Sequence, residues 1–235
     1  MRLVLLPGLN GSSALFSPLL DALAPLDCQT LSLPEQGPQD YDSLAKALST
    51  RLGVAPFILL GESFSGPIAY RLALRQPIGL RGVIFAASFL TCPNTALALL
   101  RHLPIPLVLA TQPSLLRALC LGKTANDEVV RCVQTEIRQL DQTLVHARLA
   151  TLASLQAPQQ RLGLPCLHLW PQQDRLVVSG VARQLANACS DLRQLPLDGP
   201  HFILQTQPQR CAQAIRCFMQ EVESKRQAPT SPGFP

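Results

Sequence analysis

Long hydrophobic runs are missing from this sequence, although nearly half of its residues are hydrophobic. Hydrophobic residues make up 47% of the 235 residues, but no run reaches the roughly 18–20 residues that a membrane span requires. The apolar run at the N-terminus stops at Pro7, which is too early for a signal peptide and suits a buried first strand. We therefore predict a cytoplasmic protein without stable membrane insertion.

Charged and aromatic residues are also scarce, at 15% and 5% of the chain. The formal net charge of +5 comes almost entirely from arginine, but the arginines are scattered and are not interleaved with aromatic residues. A nucleic-acid groove requires clustered basic residues. The pattern therefore predicts a soluble surface with an excess of arginine and no nucleic-acid partner. It leaves the oligomeric state open.

Patterns typical of metal sites and disulfide frameworks are absent, although the chain has eight cysteines. No C-x-x-C pair occurs, and no histidine lies at zinc-finger spacing. A chain of this length without an export signal keeps its thiols reduced. We predict no metal and no cofactor, and we expect most cysteines to be buried as small hydrophobic residues.

Short apolar segments alternate with longer amphipathic ones over most of the chain. The apolar segments predict strands at residues 3–6, 28–33, 57–60, 83–86, 166–170 and 192–195. The amphipathic segments predict helices at residues 13–23, 41–52, 64–75, 178–188 and 209–223. Alternation of this kind predicts an α/β fold, with a mostly parallel sheet flanked by helices.

This alternation stops in the middle of the chain. Residues 91–158 are mostly helical in pattern, with breaks at prolines. We predict that residues 1–90 and 159–227 form the α/β core, and that residues 91–158 are a helical lid, or cap, inserted over the sheet. The tail at residues 228–235 is rich in proline and small residues and is predicted to be disordered.

A candidate nucleophile lies where the third predicted strand meets the following helix, in the segment Gly61-Glu62-Ser63-Phe64-Ser65-Gly66. A nucleophile elbow needs this context, because its tight turn strains the serine backbone and requires small neighbours. The usual pattern has glycine two residues after the nucleophile, and Ser65 takes that place here. The alternative is an ordinary turn with a capping serine. We predict that Ser63 is the nucleophile of a serine hydrolase.

One histidine of the four lies where a general base is needed. His201 follows the last predicted strand, and the carboxyl ends of parallel strands share one edge of the sheet. His168 lies inside a predicted strand and is expected to be a core residue with satisfied hydrogen bonds. His102 and His146 lie in the predicted lid. His201 is therefore the predicted base.

Three aspartates compete to orient this histidine. Asp174 follows the fifth predicted strand, although it could instead cap a helix. Asp198 is only three residues from His201 and is expected to shape the loop. Asp191 precedes a strand and so falls at the wrong edge. The predicted triad runs Ser63, Asp174, His201 along the chain, which is the α/β-hydrolase order.

An oxyanion hole needs two backbone N–H groups beside the nucleophile. We predict that Phe64, directly after Ser63, provides one, and that Leu9 provides the other. Leu9 lies in a loop whose glycines allow close approach of the backbone to a substrate. A phosphate-binding loop is the competing interpretation, but the lysine of a Walker A motif and the third glycine of a dinucleotide fingerprint are both missing.

These segments resemble the landmarks of the α/β-fold hydrolases, and small bacterial esterases in particular. They are Leu5-Leu6-Pro7-Gly8-Leu9-Asn10-Gly11-Ser12, Gly61-Glu62-Ser63-Phe64-Ser65-Gly66-Pro67, Gln173-Asp174-Arg175-Leu176-Val177 and Gly199-Pro200-His201-Phe202. The resemblance implies an α/β-hydrolase fold that lacks the first two of eight strands, and hydrolysis without metal or organic cofactor. Pro7 stands where many members have histidine, and Ser65 replaces the elbow glycine, but neither change removes a catalytic group.

The sequence thus predicts a carboxylesterase that cleaves a small-molecule ester through an acyl-enzyme, with an apolar acyl pocket lined by the lid. A thioesterase is the nearest alternative, since the same groups cleave both bonds. Two alternatives come from other classes. One is a non-catalytic binding protein of the same fold, and the other is a membrane-surface protein that uses the apolar lid as an interfacial helix.

Overall fold

The computed structural model describes residues 1–94, 111–178 and 180–227. Within these parts of the chain, six strands form one sheet, and every neighbouring pair is parallel. The strands are β1 (Arg2–Leu6), β2 (Cys28–Thr30), β3 (Phe57–Glu62), β4 (Leu80–Ala86), β5 (Leu162–Pro171) and β6 (Cys189–Leu197). Their order across the sheet is β2-β1-β3-β4-β5-β6, so the prediction of a parallel sheet is confirmed.

The second strand is shorter than the predicted segment 28–33. Its last residues leave the sheet to cover the loop after β1: Leu31 N still donates to Leu5 O at 3.0 Å, but Leu33 N donates to Gly11 O at 2.9 Å. The backbone of Leu33 is therefore hydrogen-bonded to that loop and does not extend the sheet.

Both faces of the sheet are covered because alternate strand residues point to opposite sides. One face packs against α2 (Tyr41–Ser49), α3 (Gly66–Leu74) and α7 (Val181–Ala188), and the other against α1 (Ser17–Leu23) and α9 (Pro208–Gln227). A short helix, α8 (Ile203–Thr206), precedes α9. Large aliphatic residues fill both interfaces, and this explains the near-continuous apolar strands.

The described part of the insertion is helical, as predicted. It contains α4 (Pro113–Leu116), which continues as a π-helical turn over Arg117–Leu121, then α5 (Asp127–Arg138) and α6 (Gln142–Ala153). The side chains of Asn126 and Asp141 cap α5 and α6 by accepting from backbone N–H groups. The remainder of the predicted lid at 95–110, with His102, and the predicted disordered tail at 228–235 lie outside the described residues.

The expectation that most cysteines are buried is wrong, because the eight are free thiols and only Cys166, Cys189 and Cys211 are fully buried. Arg148, on α6, is an exception to the expected surface placement of the arginines, with only 1% of it exposed. No helix in the described part of the chain is both long and apolar enough to cross a membrane.

Candidate active site

The predicted site residues follow four different strands at one edge of the sheet. Leu9 lies after β1, Ser63 after β3, Asp174 after β5 and His201 after β6. Because all the strands are parallel, their carboxyl ends meet at that edge. The topology therefore brings together residues that are up to 192 positions apart, as for Leu9 and His201.

Ser63 sits on a tight turn between β3 and α3, and its backbone φ is 46°. This left-handed conformation is costly for a residue with a side chain. A Cβ on Gly61 would lie 2.5 Å from the backbone oxygen of Ser65, so nothing larger fits there. A Cβ on Gly66 would lie 1.7 Å from Ser88 Oγ, which itself donates to Ser63 O at 2.6 Å. Both glycines are thus required by packing around the strained serine.

Ser65, at the position usually held by the elbow glycine, is fully buried and hydrogen-bonded. Its Oγ donates to the backbone carbonyl of Pro7, in the loop after β1. The serine therefore does more than fit in place of glycine, because its hydroxyl joins the elbow to the loop that carries Leu9. Sequence reasoning identified the departure but not this bond.

The structure brings Ser63, His201 and Asp174 into one hydrogen-bonded chain. Ser63 Oγ lies 2.9 Å from His201 Nε2, and His201 Nδ1 lies 2.7 Å from Asp174 Oδ2. The side chains of His201 and Asp174 are 8% and 3% exposed, so the contact between them is shielded from water. This is the relationship that a nucleophile, a base and an orienting acid require.

Asp174 makes the contacts expected of both interpretations that the sequence left open. Its Oδ2 faces His201, while its Oδ1 accepts from the backbone N–H groups of Leu176 at 2.8 Å and Val177 at 2.9 Å. The carboxylate caps the turn that follows it and is fixed in orientation by doing so. Asp198 accepts from Gln173 Nε2 at 2.6 Å, so it shapes the loop as predicted.

The third candidate aspartate, Asp191, and the other described histidines lie away from the contacts between Ser63, His201 and Asp174. Asp191 is within β6 and pairs with Lys225 at 2.9 Å. His168 is buried on β5, as predicted, but its Nδ1 has no partner among the described residues. Burial lowers the pKa of His168 to about 4. His146 is half-buried on α6. In the described chain, no group of three or more His, Cys, Asp or Glu side chains is placed to hold a metal ion.

The loop after β1 lies directly beside Ser63. A Cβ on Gly8 would be 3.8 Å from Ser63 Cβ. The Gly8 carbonyl accepts from Gly11 N at 3.0 Å, and the Leu9 carbonyl accepts from Arg148 Nη1 at 2.8 Å. The N–H of Leu9 has no hydrogen-bond partner among the residues the structure describes. Phe64 is in the first turn of a helix, where N–H groups lack intrahelical partners. Both predicted donors are therefore available.

Glu62, directly before Ser63, is buried and was not singled out by sequence reasoning. Gln205 Nε2 donates to its Oε1 at 2.9 Å. Burial raises the pKa of Glu62, and the bond from Gln205, the nearby His201 and the Gly8 N–H each oppose that rise. Glu62 thus links the elbow to the loop after β1 and to α8. A single acid at the end of an otherwise apolar strand is the signal that could have indicated it.

A mostly apolar cavity of about 230 Å³ opens onto Ser63 and His201. Its apolar walls come from the sheet loops and from both long insertion helices, including Phe89, Val133, Ile137, Leu149 and Leu152. Asn10 and Glu136 also line it, with Asn10 Nδ2 3.5 Å from Glu136 Oε2. A larger cleft of about 1130 Å³, with both polar and apolar lining, borders Asp174 and Asp198 but includes neither Ser63 nor His201.

Cys120, from the π-helical turn, lines the same apolar cavity. Burial raises the pKa of its thiol to about 12, and the charge of Asp174 adds to that effect. A thiol with this pKa stays protonated at neutral pH and is a poor nucleophile. Ser63 is therefore the better candidate for attack in this cavity.

Comparisons with known proteins agree with this architecture. A model of the alpha/beta hydrolase family matches residues 3–214, whereas no curated protein matched the chain. The solved structures similar to this one include an enol-lactonase from Burkholderia xenovorans LB400, with a TM-score of 0.78 at 15% identity over 93% of this chain and 91% of that one. They also include two proteins whose names describe an esterase and a thioesterase.

The first is a thermophilic esterase from Thermogutta terrifontis, with a TM-score of 0.77 at 18% identity over 94% of this chain and 90% of that one. The second is the type II thioesterase BorB from the borrelidin biosynthetic cluster, with a TM-score of 0.69 at 20% identity over 93% of this chain and 92% of that one. At these identities the likeness concerns the fold.

Proposed function

The chain belongs to the alpha/beta hydrolase family, and on that premise we propose that it is a serine esterase that hydrolyses small carboxylic esters through an acyl-enzyme on Ser63. The observation that carries the proposal is the hydrogen-bonded chain from Ser63 Oγ through His201 to Asp174, with distances of 2.9 and 2.7 Å. The backbone strain at Ser63 supports it, because strain of this kind is stored at functional sites.

In the first step, Ser63 Oγ attacks the ester carbonyl and its proton passes to His201 Nε2. The carbonyl oxygen becomes an oxyanion between the N–H groups of Leu9 and Phe64, and Asp174 stabilises the charged imidazole. The C–O bond then breaks, and the alcohol leaves with the proton from His201. In the second step, His201 deprotonates a water that attacks the acyl-enzyme. The bond between Ser63 Oγ and the acyl carbon breaks, the carboxylic acid leaves, and His201 returns the proton to Ser63 Oγ.

The cavity supports a modest, mainly apolar acyl group. Its volume of about 230 Å³ lies below the usual range of roughly 300–1,000 Å³ for ligand pockets, and most of its lining is aliphatic or aromatic. Among the described residues that line the cavity, only Glu62 and Glu136 are acidic. We expect esters with short and medium acyl chains to be the better substrates. A free carboxylate on the acyl group should be unfavourable near Glu136.

A panel of chromogenic esters, from acetyl to dodecanoyl, tests this function in the wild type and in Ser63→Ala. We expect turnover by the wild type and none by the variant, with unchanged thermal unfolding. A fluorophosphonate probe followed by peptide mass analysis should label Ser63. Labelling at Ser65 instead, or turnover that survives Ser63→Ala, contradicts the assignment. A wild type that neither reacts with the probe nor turns over esters is a non-catalytic binding protein.

Thioester hydrolysis is the second candidate, because the same attack and the same oxyanion serve both bonds, and a thioesterase is among the proteins of similar structure. Matched oxygen esters and thioesters of one acyl group distinguish the two. A higher kcat/KM for the oxygen ester supports the esterase. The reverse order, maintained across acyl lengths, assigns the chain to thioesters.

A further inference from the structure

Arg148 is a buried cation that the proposed mechanism does not use. It lies on α6 with 1% exposure, and none of the ion pairs among the described residues includes it. Burial lowers the pKa of Arg148 to about 10, and the charge of Glu35 opposes this, so the guanidinium remains protonated at neutral pH. A buried charge is costly unless hydrogen bonds compensate it. Its partners should therefore indicate why it is there.

Those partners are oxygen atoms of the loops after β1 and β2. Nη1 donates to Leu9 O at 2.8 Å, Nη2 to Pro34 O at 3.1 Å and Nε to Gln39 Oε1 at 3.0 Å. Gln39 in turn donates to Pro34 O at 3.2 Å and to Gly37 O at 3.1 Å. One guanidinium thus ties α6 to two loops at the catalytic edge of the sheet.

The loop after β1 is shaped to admit this guanidinium. Gly11 has a φ of +75°, and a Cβ on it would lie 2.4 Å from Arg148 Nη1. Gly11 N also closes the turn by donating to Gly8 O at 3.0 Å. The glycine is needed both for its backbone conformation and for the close approach of the arginine.

The hydrogen bonds of this loop fix the direction of one free donor. The carbonyls of Pro7, Gly8 and Leu9 accept from Ser65 Oγ, Gly11 N and Arg148 Nη1 respectively. In a trans peptide the N–H points away from the carbonyl, so the bond to Gly8 O aims the Leu9 N–H in the opposite direction. The bond from Arg148 to Leu9 O holds the next peptide, between Leu9 and Asn10. It therefore prevents the two neighbouring peptides from flipping.

We propose that Arg148 is a positioning residue for ester hydrolysis, which fixes the Leu9 peptide so that its N–H is preorganised for the oxyanion at Ser63. This inference rests on the proposed esterase function. Arg148 touches no substrate and acts only through Leu9. The competing interpretation is that it merely fastens α6 to the fold. The two interpretations differ in what is lost first: a positioning role affects the transition state, whereas a fastening role affects only stability.

The test compares Arg148→Met with Arg148→Lys. Loss of an oxyanion-hole donor costs about 10²–10³ in kcat. For Arg148→Met we expect kcat to fall by up to about 10²-fold with little change in KM, because a disordered donor is partly lost. Affinity for a trifluoromethyl ketone, which forms an oxyanion on the serine, should fall by the same factor. Lysine can still donate to Leu9 O, so Arg148→Lys should recover part of both quantities.

Gln39→Met is the matched control for stability. It removes the partner of Arg148 Nε but leaves the bond to Leu9 O, so it should lower the melting temperature without lowering kcat well below that temperature. Arg161→Met is a second control, because Arg161 also donates to a backbone carbonyl, that of Cys189 at 2.9 Å, but near the start of β6, at the opposite edge. It should change neither kcat nor inhibitor affinity.

Four outcomes separate the claims. Wild-type turnover that Ser63→Ala abolishes supports the proposed function regardless of Arg148. If Arg148→Met then keeps wild-type kcat and inhibitor affinity, or if Gln39→Met loses kcat equally, the positioning role is wrong. If Arg148→Met does not fold, the test uses Arg148→Lys and the exchange of the Gly11 amide, which donates to Gly8 O. Unchanged inhibitor affinity and kcat in Arg148→Lys, together with a loss of Gly11 amide protection, overturn the role. Absence of wild-type turnover overturns the function and this inference together.

Discussion

The two long helices of the insertion differ in how they attach to the sheet. Helix α5 buries Val130 and Val133 in a small separate cluster with Leu15, Leu116 and Leu121. Helix α6 sends Leu152 into the large core cluster that also contains residues of β1, β3 and β4, and anchors itself by the buried Arg148. Both helices line the cavity. A wall of the site can thus be part of the core, or it can be a separate layer on top of it.

The different attachment of α5 and α6 indicates which of the two helices could move as a lid. A helix that moves must leave its packing without exposing a buried charge or a large apolar surface. Helix α6 fails this condition because Arg148 and Leu152 are buried on it. Helix α5 has two buried residues where α6 has four, and its acidic first turn is exposed. We therefore expect any gating in the described part of the insertion to involve α5.

The largest effect should come from the sheet loops rather than from either helix. Asp174→Asn keeps an oxygen for the N–H groups of Leu176 and Val177 but presents an amide to His201, which favours the wrong tautomer. We expect kcat to fall by about 10⁴-fold with little change in thermal unfolding. Kinetics and melting measured on the same preparation check this.

Asp198→Asn is the matched control, because an asparagine oxygen can still accept from Gln173 Nε2. It should be mild. If Asp198→Asn were the crippling change and Asp174→Asn the mild one, the acid would be misassigned. If Asp174→Asn unfolded the protein, the contact of Oδ2 with His201 would be needed for folding, because asparagine keeps the oxygen that caps the turn.

The next largest effect is on stability, and it should differ between variants of α5 and α6. Leu152→Ala on α6 should lower the free energy of unfolding by about 2–5 kcal/mol, as expected for a buried leucine in a core that cannot fully collapse. Ile137→Ala on α5 removes a partly buried side chain from the cavity wall and should cost less. It should instead move the preferred acyl length upward. Denaturant unfolding and an acyl-length profile of both variants provide the comparison.

Equal losses of stability in the two variants would contradict the contrast between α5 and α6. An unchanged acyl profile in Ile137→Ala would show that this part of α5 does not limit the acyl group. If both outcomes were observed together, there would be no reason to assign different roles to α5 and α6, regardless of the results for Asp174.

The sequence predicted what depends on periodicity and strand ends. All six strands, the parallel sheet and the positions of Ser63, Asp174 and His201 follow from apolar segments and from the shared edge of parallel strands. The bonds of Arg148, Ser65 and Glu62 could not be predicted in this way, because each joins segments far apart in the chain, and a local pattern shows at most that the residue is unusual for its position. An arginine within Leu144-Val145-His146-Ala147-Arg148-Leu149 was the only hint of the first of these.

The smallest effect should come from the second bond that holds the loop after β1. Ser65 Oγ donates to Pro7 O from the sheet side, whereas Arg148 donates to Leu9 O from the α6 side. Ser65→Ala removes one hydrogen bond worth about 1 kcal/mol, which corresponds to about fivefold in kcat if it acts wholly on the transition state. Ser65→Gly, with the residue usual at this position, should lose the same bond. In Ser65→Ala/Arg148→Met, a combined loss of kcat that differs from the product of the single losses would show that both bonds order the same peptide. Simple multiplication of the two losses would mean that α6 and the elbow act on the loop independently.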